Sequence, residues 1–148
     1  MTPLILGIGN RFRRDDGVGP VVADRLAALG LAVREHSGEG AGLIEAWSGV
    51  ERVVVVDATQ SGTAPGTVVR LDAARELPRG LFRYSSHLFG LAEAVETARA
   101  LGRLPADLVI WGIEGADFGF GEDLTLAVAE AAEDVARRIA AELTPPPN

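Results

Sequence analysis

The chain has no cysteine, which excludes disulfides, thiolate zinc sites and a cysteine nucleophile together. Histidine is almost as scarce, represented by His36 and His87. Any imidazole chemistry has to run through one of those two. There is no basic run; the cations are arginines scattered along a chain of net charge −7. That is not the footprint of a nucleic-acid binder, which needs clustered positive charge. No stretch approaches the ~18 apolar residues of a membrane span. The N-terminus lacks a basic segment ahead of its short apolar run, so no secretory leader is expected. These absences point to a cytoplasmic protein that meets neither membrane nor nucleic acid.

What is present is an ordinary globular composition, 47% hydrophobic and 24% charged over 148 residues. A chain of this length is one domain, able to bury roughly two-thirds of its unfolded surface. Residues 1–143 are expected to form it, with Thr144-Pro-Pro-Pro-Asn148 as a frayed tail, because consecutive prolines cannot continue a helix.

The most informative stretch is Leu4 to Val22, LILGIGNRFRRDDGVGPVV. An apolar run bounded by glycine, Leu4–Ile8, has the pattern of a strand buried on both faces. A glycine-punctuated turn follows, then three arginines within Arg11–Arg14, then the adjacent acids Asp15 and Asp16. Val18, Val21, Val22, Leu26 and Leu29 recur at helical spacing, Pro20 suits a first helical turn, and Gly30 stops the helix. One acid would complement the helix dipole for under ~1 kcal/mol. Two acids behind an arginine loop exceed that need, and mark a site.

Further on, Leu31–His36 reads as a weak strand, and Leu43, Ile44 and Trp47 as a short helix ended by Gly49. Val53–Val56, running into Asp57, is the clearest strand, and Thr67–Leu71 is a fourth. Only about nine residues separate these last two. A parallel crossover needs a dozen or more, so the fourth strand is expected to run antiparallel to the third. Ser85 or Ser86 is placed as the N-cap of a helix carrying Leu88, Leu91, Val95, Ala98 and Leu101. Leu108–Trp111 is the fifth strand, Gly112–Gly121 a glycine-rich loop, and Val128, Ala131, Val135, Ile139 and Leu143 line a last helix from about Thr125. The alternation predicts a three-layer α/β/α sandwich around a mixed five-stranded sheet.

In such sheets ligands bind beyond the carboxyl ends of the strands. Asp16 follows the first strand, Asp57 ends the third, and His87 opens the helix after the fourth. Singly, Asp57 is a strand-end turn former and His87 a solvated helix-start residue. Together they make an open metal-binding set, with room for water or a substrate ligand. The competing patterns are weaker. Ser86 and His87 are adjacent on a helix and do not face each other. His36 beside Ser37 lacks a G-x-S-x-G elbow. Gly7-x-Gly9 meets Phe12 where a dinucleotide fingerprint needs its third glycine, despite Glu35 as a candidate ribose acid. Glu39, Glu114 and Asp117 read by default as surface acids at the same edge, and Trp47 and Trp111 as core.

The motifs Gly7-Ile8-Gly9-Asn10 and Asp15-Asp16-Gly17-Val18-Gly19, the strand ending in Asp57, Ser86-His87 and Gly112-Ile113-Glu114 resemble those of the hydrogenase maturation endopeptidases, over nearly the whole chain. The resemblance implies a phosphorylase/hydrolase-like fold with the antiparallel fourth strand. It implies that Asp16, Asp57 and His87 serve as both catalytic and nickel-binding residues. It implies a cytoplasmic, monomeric protease that removes a C-terminal peptide from the large-subunit precursor of a nickel-iron hydrogenase. The nickel is the one the precursor carries, and no organic cofactor is expected. Two positions depart from the family pattern. Ser37-Gly38-Glu39-Gly40 stands where Asp-Gly-Gly-Thr is common, and Arg14 where a small residue is common. A non-catalytic hydrogenase-binding maturation factor and a zinc-dependent small-peptide hydrolase are the alternatives.

Overall fold

The computed structural model describes residues 2–78, 80–82 and 89–144. Five strands, β1 (Leu4–Ile8), β2 (Val33–His36), β3 (Arg52–Thr59), β4 (Val68–Asp72) and β5 (Asp107–Glu114), form one sheet in the order β2-β1-β3-β5-β4. All neighbours pair in parallel except β4, which pairs antiparallel with β5 at the sheet edge. The expected reversal of the fourth strand is present, and its hydrogen-bonded neighbour is the fifth strand rather than the third.

Among the described residues, four helices cover the sheet: α1 (Val18–Ala28), α2 (Gly40–Trp47), α3 (Leu91–Ala100) and α4 (Leu126–Leu143). The central strands send alternate side chains to opposite faces. Ile5, Val54, Val56, Val109 and Trp111 pack with Val22 and Leu26 of α1 and with Val128, Val135 and Ile139 of α4. Leu6, Val53, Val55, Leu108 and Ile110 pack with Leu43 and Trp47 of α2 and with Leu91, Val95 and Ala98 of α3. Burial on both faces explains why β1 and β3 read as continuous apolar runs. Both tryptophans are core, as expected. No helix among the described residues is long and apolar enough to cross a membrane.

Several boundaries differ from the sequence reading. β3 runs past Asp57 to Thr59, because Asp57, Ala58 and Thr59 pair with Gly112, Ile113 and Glu114 of β5. For the same reason Gly112–Glu114 is strand and not loop. The described part of α3 starts at Leu91, where Glu93 accepts a hydrogen bond from the Gly90 N–H at 2.9 Å. That capping acid, and not a serine, closes the helix start. Ser85, Ser86, His87 and Leu88 lie outside the described residues, as do 145–148 of the tail.

Candidate active site

Glycine is what brings the first motif down onto the sheet. A Cβ on Gly19 would run into the carbonyl oxygens of Ile8 and Val56. Its absence lets the start of α1 sit directly on β1 and β3. At Gly9, φ is +142°, and a Cβ there would collide with the Asp16 carbonyl. These approaches hold a single 3-10 turn, Arg14–Gly17, at the carboxyl edge of β1 and β3. The turn then divides the acid pair.

Asp16 goes to the open side. Its Oδ2 accepts the Asn10 N–H at 2.9 Å, and it lines a cavity of about 580 Å³. Asp57 lines the same cavity. It shares the parity of Val53 and Val55 on β3, so it leaves the sheet on the α2/α3 face. Its Oδ1 accepts the N–H of Ala58 at 2.8 Å. Thus a turn and a strand 41 positions apart in the sequence bring the two predicted carboxylates into one pocket.

Their electrostatics are unusual. Burial raises the carboxyl of Asp16 above its ordinary value, opposed by the Asn10 hydrogen bond and the positive charge of Arg13. Burial also pushes Asp57 well above the usual carboxylate range, and the nearby charge of Asp16 adds to the shift. Among the described residues each accepts one backbone donor, too little to offset desolvation and mutual repulsion. Among the described residues, no three His, Asp or Glu side chains converge to hold a metal. His87, the third predicted ligand, lies outside those residues. Phe82 and Gly90, described residues on either side of it in sequence, line the cavity.

The other charged candidates have structural employment. Asp15 is fully buried and accepts from Ala116 N and Asp117 N at 2.8 and 3.0 Å, and from Thr125 N and Oγ1 at 2.8 Å each. Glu114 is likewise buried, contrary to its reading as a surface acid. It accepts from Thr59 Oγ1 at 2.7 Å, Ser61 Oγ at 2.8 Å, and the N–H groups of Ser61 and Gly62 at 2.9 and 3.1 Å. Glu39 caps α2 through Ala41 N and Gly42 N, both at 2.8 Å. Asp117 pairs with Arg14 at 3.0 Å. Arg14 is a non-glycine residue in the left-handed region, at φ 46°, a conformation that favours glycine. Arg11 bridges Asp24 and Glu35 at 2.7 and 2.6 Å, so Glu35 is engaged in an ion pair on the cavity wall.

His36 also lines the cavity, which spacing alone did not predict. Its Nδ1 accepts the Gly38 N–H at 2.9 Å, which puts the proton of the neutral ring on Nε2. The Ser37 hydroxyl instead accepts the Glu39 N–H at 3.4 Å, so nothing pairs it with His36 as a nucleophile.

Comparison with known proteins agrees with this architecture. The sequence model described as "Hydrogenase maturation protease" matches residues 38–142. The hydrogenase expression/formation protein HupM of Azotobacter chroococcum is 34% identical over 128 residues, 78% of this chain and 60% of its own length. HupD of Rhodobacter capsulatus is 32% identical over 133 residues, covering 85% and 63% respectively. The chain therefore spans about six-tenths of the length of these curated relatives. Among solved structures, the [NiFe] hydrogenase maturation protease HybD of Thermococcus kodakarensis superposes with a TM-score of 0.75 at 25% identity. That superposition covers 97% of this chain and 100% of the other.

Proposed function

This chain belongs to the hydrogenase maturation protease family, and we propose that it is an endopeptidase that trims the large-subunit precursor of a nickel-iron hydrogenase. The bond cut releases the precursor's C-terminal extension, and the cut follows nickel insertion. Asp16, Asp57 and His87 meet the nickel that the precursor carries. The observation that carries this reading is a pair of carboxylates, Asp57 buried and Asp16 half-buried, that share one cavity and accept one backbone hydrogen bond each among the described residues.

Two carboxylates with one donor each are an unfavourable arrangement by themselves. A divalent cation arriving with the substrate removes both the desolvation penalty and the repulsion. The pocket is therefore a receptor for positive charge, and only a loaded precursor supplies it. Hard carboxylate oxygens and a neutral imidazole suit Ni²⁺, although donor chemistry alone equally accepts Zn²⁺.

Hydrolysis then needs a base and an acid. Water adds to the scissile carbonyl as its proton passes to a carboxylate. That proton moves on to the departing amine as the C–N bond breaks. Asp57, biased towards its protonated form in the cation-free protein, becomes a competent base once cation binding favours its ionised form.

The test is mass spectrometry of the precursor after incubation with wild type and with Asp16→Asn. The wild type is expected to remove a C-terminal peptide. The variant is expected to fold normally and lose processing by on the order of 10²-fold or more. Normal cleavage by the variant would overturn the assignment. Precursor binding by the wild type without cleavage would favour a non-catalytic maturation factor. Metal-dependent cleavage of small peptides with no preference for the precursor would favour a zinc hydrolase.

A further inference from the structure

Resting on that processing activity, we infer that the rim formed by residues 10–14 and 116–126, which borders the cavity that receives the precursor's tail and extends beyond it, is the docking surface for the precursor's folded body. Six large hydrophobic side chains are exposed among the described residues. Three of them, Phe12 (63%), Phe120 (88%) and Leu126 (76%), belong to the segments that Asp15 fastens together. The other three, Leu29, Phe89 and Leu101, lie elsewhere in the chain. The clustering is on one rim.

The rim is rigid. Gly121 N donates to Phe12 O at 2.9 Å and Arg14 N to Gly121 O at 2.8 Å, so the two loops run as a short parallel pair with Phe12 and Phe120 in adjacent register. The Arg13 guanidinium lies 5.1 Å from the Phe120 ring centroid while its Nε donates to Phe118 O at 3.1 Å. Asp15 grips Thr125, the residue before Leu126, by both backbone and hydroxyl. Apolar groups displayed on so fixed a frame lose little ordering entropy on binding. Exposed aromatics of this kind are the usual anchors of protein interfaces.

The occupant follows from position and charge. Phe12 lines the cavity, so the rim is continuous with it. Phe120 and Leu126 lie outside the cavity lining, beyond what an extended tail threaded into the pocket would need. Arg11 and Arg14 are paired with this chain's own Asp24, Glu35 and Asp117. The surface is thus suited to an apolar face of a folded protein and not to an acidic ligand. The folded body of the same polypeptide whose tail enters the cavity meets both conditions.

The double variant Phe120→Ser/Leu126→Ser tests this, with thermal melting as the control for folding. For nickel-loaded precursor, KM is expected to rise by about tenfold or more, with kcat within a factor of two of wild type. Direct titration of the precursor should show its Kd weakening in parallel. An unchanged KM and Kd would overturn the inference. So would light scattering that shows the wild type to be a dimer and the variant a monomer, since the rim would then belong to a second copy. If the wild type binds but does not cleave, the processing reading fails while the Kd comparison still decides the rim. A wild type that neither binds nor cleaves would overturn both.

Discussion

Two pairs of carboxylates in this molecule are treated oppositely: Asp15 and Glu114, both buried, and the cavity pair of buried Asp57 and half-buried Asp16. Asp15 and Glu114 each collect at least four hydrogen bonds, from backbone and hydroxyl donors. Among the described residues, Asp16 and Asp57 receive one backbone N–H each. The saturated pair binds loops to the sheet, Asp15 fastening 116–125 and Glu114 fastening 59–62. The starved pair stands at the cavity. Adjacent and chemically identical residues, Asp15 and Asp16, thus do different work because a 3-10 turn aims them in different directions. Carboxylates with many donors are structure; on the proposed function, the pair left short of donors is kept for a ligand that arrives later.

The largest effect that would sharpen this contrast comes from Asp57→Asn. It should remove processing, by on the order of 10²-fold or more, and yet raise the melting temperature at neutral pH and above. The sign follows from linkage. Burial and the Asp16 charge raise the folded-state value of Asp57. The favourable contribution of its protonated form is therefore complete below the unfolded value, and is lost as pH rises through the folded one. Wild type and variant should melt alike near pH 4 and diverge upward from there. A variant less stable than wild type at pH 8 would break the comparison.

Asp15→Ala comes next and points the other way. It orphans three part-buried N–H groups and a hydroxyl, a loss of roughly 3–5 kcal/mol in chemical denaturation. Recovery of most of that stability in Asp15→Asn, which keeps an acceptor oxygen, would show that hydrogen bonding and not charge makes the clip.

Glu114→Gln should give the smallest change, about 1–3 kcal/mol at neutral pH. Burial would raise the Glu114 carboxyl, but the bonds from Thr59, Ser61 and Gly62 outweigh it and hold it below its ordinary value. Its contribution is therefore present above the unfolded value and lost as pH falls through the folded one. Denaturant midpoints of wild type and Glu114→Gln should converge in acid. An unaltered gap at low pH would contradict the ionised staple.

Much of this was legible in the sequence, because it is written locally. Apolar runs gave β1, β3 and β5, helical spacing gave α1 and α4, and a loop too short for a crossover gave the reversed strand. Asp16 and Asp57 were legible for the same reason, since each stands where a strand delivers its chain to the carboxyl edge. What was not legible is set by distant partners. Nothing near Asp57 says that β3 continues, because the extension is held by Gly112–Glu114 of β5. Nothing near Glu114 announces its donors, which sit 52 to 55 positions earlier in the chain. Asp15 and Asp16 are indistinguishable until the turn between β1 and α1 is folded. His36 reached the cavity by strand register, with Ile8 opposite it, and no motif marks that.

The central claim is that the starved carboxylates wait for a cation carried by the substrate. It is tested most directly by presenting the wild-type protein with its precursor in nickel-loaded and nickel-free forms and weighing the products. The account predicts loss of a C-terminal peptide from the loaded precursor alone. Equal cleavage of both forms would contradict it, leaving a protease whose acid pair does not read the metal.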